Sequence, residues 1–87
     1  MSQEQTTLFN VDEIDTQLIR NTLKEVYASL EERGYNPTNQ IVGYLISGDP
    51  GYISSYKDAR NKIQDVDRAK IVEILLKEFQ KNNKWNI

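Results

Sequence analysis

The side chains best suited to chemistry or recognition in this chain fall into four groups. They are the hydroxyls of Thr6 and Thr7 near the start, the amides of Asn36, Asn39 and Gln40, the carboxylate of Asp49 set among Gly48, Pro50 and Gly51, and a basic strip of Lys57, Arg60, Lys62, Arg68 and Lys70 that alternates with Asp58, Asp65 and Asp67. The chain has no cysteine and no histidine, which removes thiol nucleophiles, imidazole bases and the usual zinc ligands together. Asp49 has no second carboxylate cluster to share a metal with, and an aspartate before proline is a ready helix cap. Gly48-Asp49-Pro50-Gly51 also lacks the lysine, the length and the preceding strand of a phosphate-cradling loop. No cofactor or metal is expected. Thr6 and Thr7 are different in kind: they lie in a polar, aperiodic segment, where phosphorylation would add about −1.5 to −2 charges each. The three amides serve either to cap and buttress a turn or to meet a partner. For the basic strip the default reading is a solvated, salt-bridged surface. The tyrosines, including Tyr35, Tyr44 and Tyr52, read as core or interface residues before they read as base-stacking platforms.

Composition limits what could position these groups. A chain of 87 residues forms one small domain, which buries roughly 60–65% of the surface its unfolded chain exposes, so a partner copy would help to complete its core. Apolar residues make up 38% and charged residues 28%, the balance of a chain that folds. Eleven bases against 13 acids conceal an asymmetry. Residues 1–33 hold seven acids and three bases, residues 34–51 hold only Asp49, and residues 52–87 hold eight bases and five acids, giving net charges of −4, −1 and +3. Such a modest basic half disfavours general affinity for a phosphate backbone, and no nucleic-acid partner is expected. The polar start, Met1 to Gln5, and the lack of any run near ~18 apolar residues predict a cytoplasmic protein without membrane insertion.

All four glycines and both prolines lie between Gly34 and Gly51, so the breakers divide the chain into a helix-permissive front, a punctuated centre and a helix-permissive back. Residues 1–10 read as a flexible tail, to which the family resemblance set out below adds the role of phosphoacceptor, and 11–87 as a single helical domain. From about Asp12, a candidate N-cap, the apolar positions Ile14, Leu18, Ile19, Leu23, Val26, Tyr27 and Leu30 recur at steps of three and four and predict a long amphipathic helix. Gly34 supplies its left-handed end, with Tyr35 able to fold back on Leu30. Asn36-Pro37 starts a second helix running to about Ser47, whose apolar residues surround its axis and predict burial on most sides, with a close helix–helix approach at Gly43. Asp49-Pro50 repeats the device for a short turn. Ser54 or Ser55 caps a short helix over Tyr56–Ile63, and Asp65 or Asp67 caps a last one bearing Val66, Ala69, Ile71, Val72, Ile74, Leu75, Leu76 and Phe79. Strand signals are weak throughout. The expected fold is all-α, a compact bundle of four to five short helices with room for at most a minor short β pairing.

The run Gly34-Tyr35-Asn36-Pro37-x-Asn39-Gln40-Ile41-Val42-Gly43-Tyr44-Leu45-x-Ser47-Gly48-Asp49-Pro50-x-Tyr52-Ile53, followed by Lys57-Asp58-Ala59-Arg60-Asn61, closely resembles the IreB/ReoM family of small regulatory phosphoproteins of Gram-positive bacteria. The resemblance implies a non-enzymatic, mainly helical, cytoplasmic homodimer. It implies a substrate of a membrane-anchored Ser/Thr kinase with PASTA domains, reversed by a cognate phosphatase. It further implies control of peptidoglycan synthesis and cell-wall antibiotic resistance, in part through Clp-protease turnover of the enolpyruvyl transferase that commits precursors to the wall. The family's phosphothreonine falls on Thr6, three residues before Phe9, with Thr7 as a second acceptor, and Arg60 matches a family arginine implicated in function. Arg60, Arg68, Lys57, Asn39 and Gln40 are accordingly the candidate partner-binding residues. The chain departs from the family in having Ser54-Ser55 where Pro-Arg is usual, Gln64 where a base is common and Gly51 in place of alanine. Two alternatives carry their own expectations. A helix-turn-helix DNA binder would use Pro37–Ser47 as recognition helix, and a structural dimerisation module would need no phosphorylation.

Overall fold

The computed structural model describes residues 11–85, with side chains from Glu13 onward. Four α-helices and two single-turn 3₁₀ segments follow one another, and no strand occurs among the described residues: α1 (Val11–Glu32), α2 (Pro37–Ser47), 3₁₀ turns at Pro50–Tyr52 and Tyr56–Asp58, α3 (Ala59–Gln64) and α4 (Arg68–Asn82). The all-α expectation is met, and no β pairing is present among the described residues.

The punctuation works locally. At the end of α1, Gly34 adopts φ +89°, its N–H donates to the Glu31 carbonyl, and the Tyr35 N–H reaches back to the Leu30 carbonyl at 3.0 Å. The Asn36 side chain accepts from the Asn39 N–H at 3.1 Å while Pro37 occupies the first turn of α2, and Gly48 (φ +78°) closes that helix by donating to Tyr44 at 2.7 Å. Asp49 accepts from the Gly51 N–H at 2.8 Å, and Asp67 accepts from the Ala69 N–H at 3.1 Å. Of the paired alternatives, Ser54 and Asp67 do the capping: the Ser54 hydroxyl accepts from the Tyr56 N–H, whereas Ser55 makes no side-chain cap.

Four expectations need correction, the last of them the burial of α2, taken up with the core. Asp12 is not the N-cap, because Val11 is already helical and a cap residue sits outside the helical backbone. The helix expected over Tyr56–Ile63 is interrupted, since Lys57 (φ +51°) and Asp58 (φ +64°) are both left-handed. Consecutive left-handed non-glycine residues cost about 1–2 kcal/mol each, and only tertiary support retains them. The Gly43 approach is not helix on helix: a β-carbon at Gly43 would lie 2.8 Å from Cε1 and 3.0 Å from Cγ of Tyr52, so it is the Tyr52 ring, in the 3₁₀ turn after α2, that occupies the space.

The core joins all four α-helices. Ile19, Val26 and Leu30 of α1 meet Ile41 and Tyr44 of α2, Ile53 of the connecting segment, Ala59 and Ile63 of α3, and Ile71 and Ile74 of α4. Burying each large side chain contributes on the order of 1.5–3 kcal/mol, so the connection at Ile53, fully buried, is as much a core element as any helix. The second helix is not buried on most sides. Its inward face is Pro37, Ile41 and Tyr44, while Val42 is half exposed and Ile46 is 79% exposed, because within one chain nothing covers that flank.

Candidate functional site

The bend between α2 and α3 brings several of the predicted residues to one segment. Arg60, on the first turn of α3, donates its Nε–H to the Ile53 carbonyl at 2.7 Å, and Gln40 on α2 accepts the Ser54 N–H at 2.9 Å. Together they hold both the C=O and the N–H of the single peptide unit joining Ile53 to Ser54. A proline at position 54 would have no N–H to offer Gln40, so this contact requires a residue other than proline there. Asn39 gives its backbone N–H to the Asn36 cap and is itself exposed.

Arg68 closes the other end of α2. Its guanidinium donates to the Leu45 carbonyl at 2.9 Å and lies where a β-carbon on Gly48 would come within 2.8 Å of it. One of the carbonyls left open at the helix terminus is thereby satisfied, and the cation sits at the negative end of the helix dipole. Lys57 forms an ion pair with Glu32 at the end of α1, 2.8 Å apart, and the Tyr56 hydroxyl donates to the same carboxylate at 3.1 Å. Arg33 and Lys57 both approach the Tyr56 ring, at 5.5 and 5.7 Å. The hydrogen bond from Lys57, then that from Tyr56, holds the Glu32 carboxyl below its ordinary value, and Glu32 correspondingly raises Lys57. This cluster anchors the left-handed Lys57-Asp58 turn to α1.

The five predicted partner-binding residues therefore form no single pocket. Gln40 and Arg60 meet at Ile53–Ser54, while Arg68 and Lys57 sit apart, each bound to its own neighbour. Thr6 and Thr7 lie outside the described residues. Sequence reasoning missed the Glu32–Tyr56–Arg33 cluster, which joins positions 23 to 25 residues apart and leaves no local signal. It also missed a basic row on α4, Lys70, Lys77 and Lys81, that its i, i+7, i+11 spacing could have revealed.

That row faces a groove of about 620 Å³ between α1 and α4, which Thr16 and Arg20 line from the other side. Glu78 pairs with Arg20, and Glu73 pairs with Lys77 at 3.1 Å. Lys77 first, and Lys70 after it, lowers the Glu73 carboxyl. On the opposite side of α4 runs an exposed apolar stripe, Val72, Leu75, Leu76 and Phe79, with Trp85 packed edge-on against Phe79 at 5.5 Å. Among the described residues there is no group of three or more carboxylates able to hold a metal, and no helix is long and apolar enough to cross a membrane. The exposed features offered to solvent are thus apolar stripes for packing and basic rows for charge.

A family model described as IreB regulatory phosphoprotein matches residues 4–81, which takes in Thr6 and Thr7, the clamped bend and nearly all of α4. The chain accordingly belongs to the IreB family of regulatory phosphoproteins.

Proposed function

We propose that this regulatory phosphoprotein is non-enzymatic and acts in the cytoplasm as a homodimer whose partner binding is set by phosphate on Thr6, with Thr7 as a second acceptor. The kinase is a PASTA-domain Ser/Thr kinase and a cognate phosphatase reverses it. The unphosphorylated dimer restrains peptidoglycan synthesis by promoting Clp-protease turnover of the first committed enolpyruvyl transferase, and so affects cell-wall antibiotic resistance. The observation that carries this reading is the span of the family match, which begins at residue 4 and so includes the tail hydroxyls with the helical core.

The exposed apolar side chains support the dimer. Val42 and Ile46 on α2 and Leu75, Leu76 and Phe79 on α4 are uncovered in one chain, and a second copy would remove them from water. They also give some weight to the bare dimerisation module. Nothing favours the DNA reader, since α2 carries no charged side chain with which to meet a phosphate backbone. Incubating the purified protein with the kinase and mapping the product by mass spectrometry tests the reading. Label on Thr6 or Thr7 is expected, and labelling undiminished by Thr6→Ala and Thr7→Ala together refutes the tail assignment.

A further inference from the structure

We infer that the groove between α1 and α4 receives the chain's own phosphorylated tail, with Lys70 and Lys81 as the first groups to meet the phosphate; the inference rests on the tail-acceptor reading above. The other candidate cations are already committed. Arg60 and Arg68 each donate to a backbone carbonyl, and Lys57 is held by Glu32. In the groove, Lys77 and Arg20 are bridged to Glu73 and Glu78, but neither Lys70 nor Lys81 is in an ion pair among the described residues. Four cations against two carboxylates leave the groove with two net positive charges, matching a phosphate of about −1.5 to −2. Exposed ion pairs such as Glu73–Lys77 are worth only about 0–1 kcal/mol, so a doubly charged phosphate can displace the carboxylates.

Reach agrees with charge. Five residue-to-residue steps lead from Thr6 to Val11 and span up to about 17 Å when extended. Along α1, at ~1.5 Å per residue, Thr16 lies about 7.5 Å and Arg20 about 13.5 Å from Val11. A tail turned back along α1 therefore brings Thr6 level with the groove. The apolar stripe of α4 lies on the opposite side of the helix, so docking of the tail and packing of a second copy are compatible.

The test uses the full chain with phosphothreonine installed at position 6 by semisynthesis, with either the native groove or Lys70→Gln, Lys77→Gln and Lys81→Gln together. All three lysines are on the surface of α4, and helical circular dichroism confirms that the variant folds. Phosphorus NMR then follows the second ionisation of the phosphate. Docking lowers it by about 0.5 unit in the native groove relative to the glutamine variant. Coincident titrations overturn the proposal, and a difference that vanishes on dilution overturns the intrachain assignment by placing the phosphate on another copy. Because the phosphate is installed chemically, this result is independent of whether the kinase modifies Thr6. A failure of the acceptor reading appears only in the kinase mapping.

Discussion

Replacing Gly43 by alanine tests how the punctuated centre is locked together. A β-carbon at residue 43 meets the Tyr52 ring at 2.8 Å from Cε1 and 3.0 Å from Cγ, distances that require the ring to move. Against this, alanine in a helix interior gains about 1 kcal/mol over glycine in intrinsic propensity. Overpacking of this kind costs about 1–3 kcal/mol, so Gly43→Ala alone is expected to destabilise by up to about 2 kcal/mol. Once Tyr52→Ala has emptied the space, only the propensity remains, and the same Gly43→Ala change should stabilise by about 1 kcal/mol. The coupling between the two sites is then about 1–3 kcal/mol, the range typical of residues in direct contact. Urea unfolding of the four proteins at one fixed protein concentration measures it, with constant m-values as the check on two-state behaviour. In thermal unfolding each kcal/mol corresponds to roughly 4–8 °C for a domain of this size. A Gly43→Ala change that has the same effect in both backgrounds refutes the reasoning. The half-exposed Tyr52 ring would then be swinging freely, and the turn at Pro50–Tyr52 would not be held by α2.

The remaining predictions concern the other clamps and surfaces. Glu32 titrates below its ordinary value of 4.5, so the stability it contributes is present in full above the unfolded value and is lost as pH falls through the folded one; Glu32→Gln should flatten the acid limb of a pH–stability profile. Lys57 is raised above 10.5, so its contribution is complete below that value and is lost as pH rises through the folded one, and the same variant should flatten the alkaline limb. Arg60→Met leaves the Ile53 carbonyl without its donor and should cost about 1–3 kcal/mol in urea unfolding, with m unchanged. Leu76→Glu with Phe79→Glu places charge on the exposed stripe of α4; sedimentation should show loss of self-association while helical circular dichroism persists.

What could be read in the sequence was what is decided within a few residues. Asn36-Pro37, Asp49-Pro50, Gly34 and Gly48 mark helix ends because their caps involve only neighbouring peptide groups, and each appears where its chemistry places it. The periodic stripe of α1 is equally local and contains the core residues Ile19, Val26 and Leu30, but periodicity does not separate them from Ile14, Leu18 and Tyr27 of the same stripe, which stay exposed. Roles set by distant partners were not legible. Arg60 and Arg68 look alike as members of a basic strip, yet one satisfies Ile53 and the other Leu45, a fact determined by how α3 and α4 pack on the bend. The left-handed turn at Lys57-Asp58 contains no glycine to announce it, and the bond that ties it to α1 comes from Glu32, 25 residues away. The apolar girdle of α2 suggested burial all round. One chain covers half of it, and Val42 and Ile46 remain for another surface. The acceptor assignment at Thr6 came from family resemblance, since a lone threonine in a polar segment has no physical mark of its own.

The most direct test of the central claim, that phosphate on the tail relieves a restraint on wall synthesis, is the half-life of the enolpyruvyl transferase after translation is stopped. Cells carrying Thr6→Ala and Thr7→Ala should degrade the enzyme faster than cells carrying the unaltered chain, because the restraining form can no longer be switched off. An unchanged half-life, in cells where loss of phosphorylation has been verified, would contradict the account.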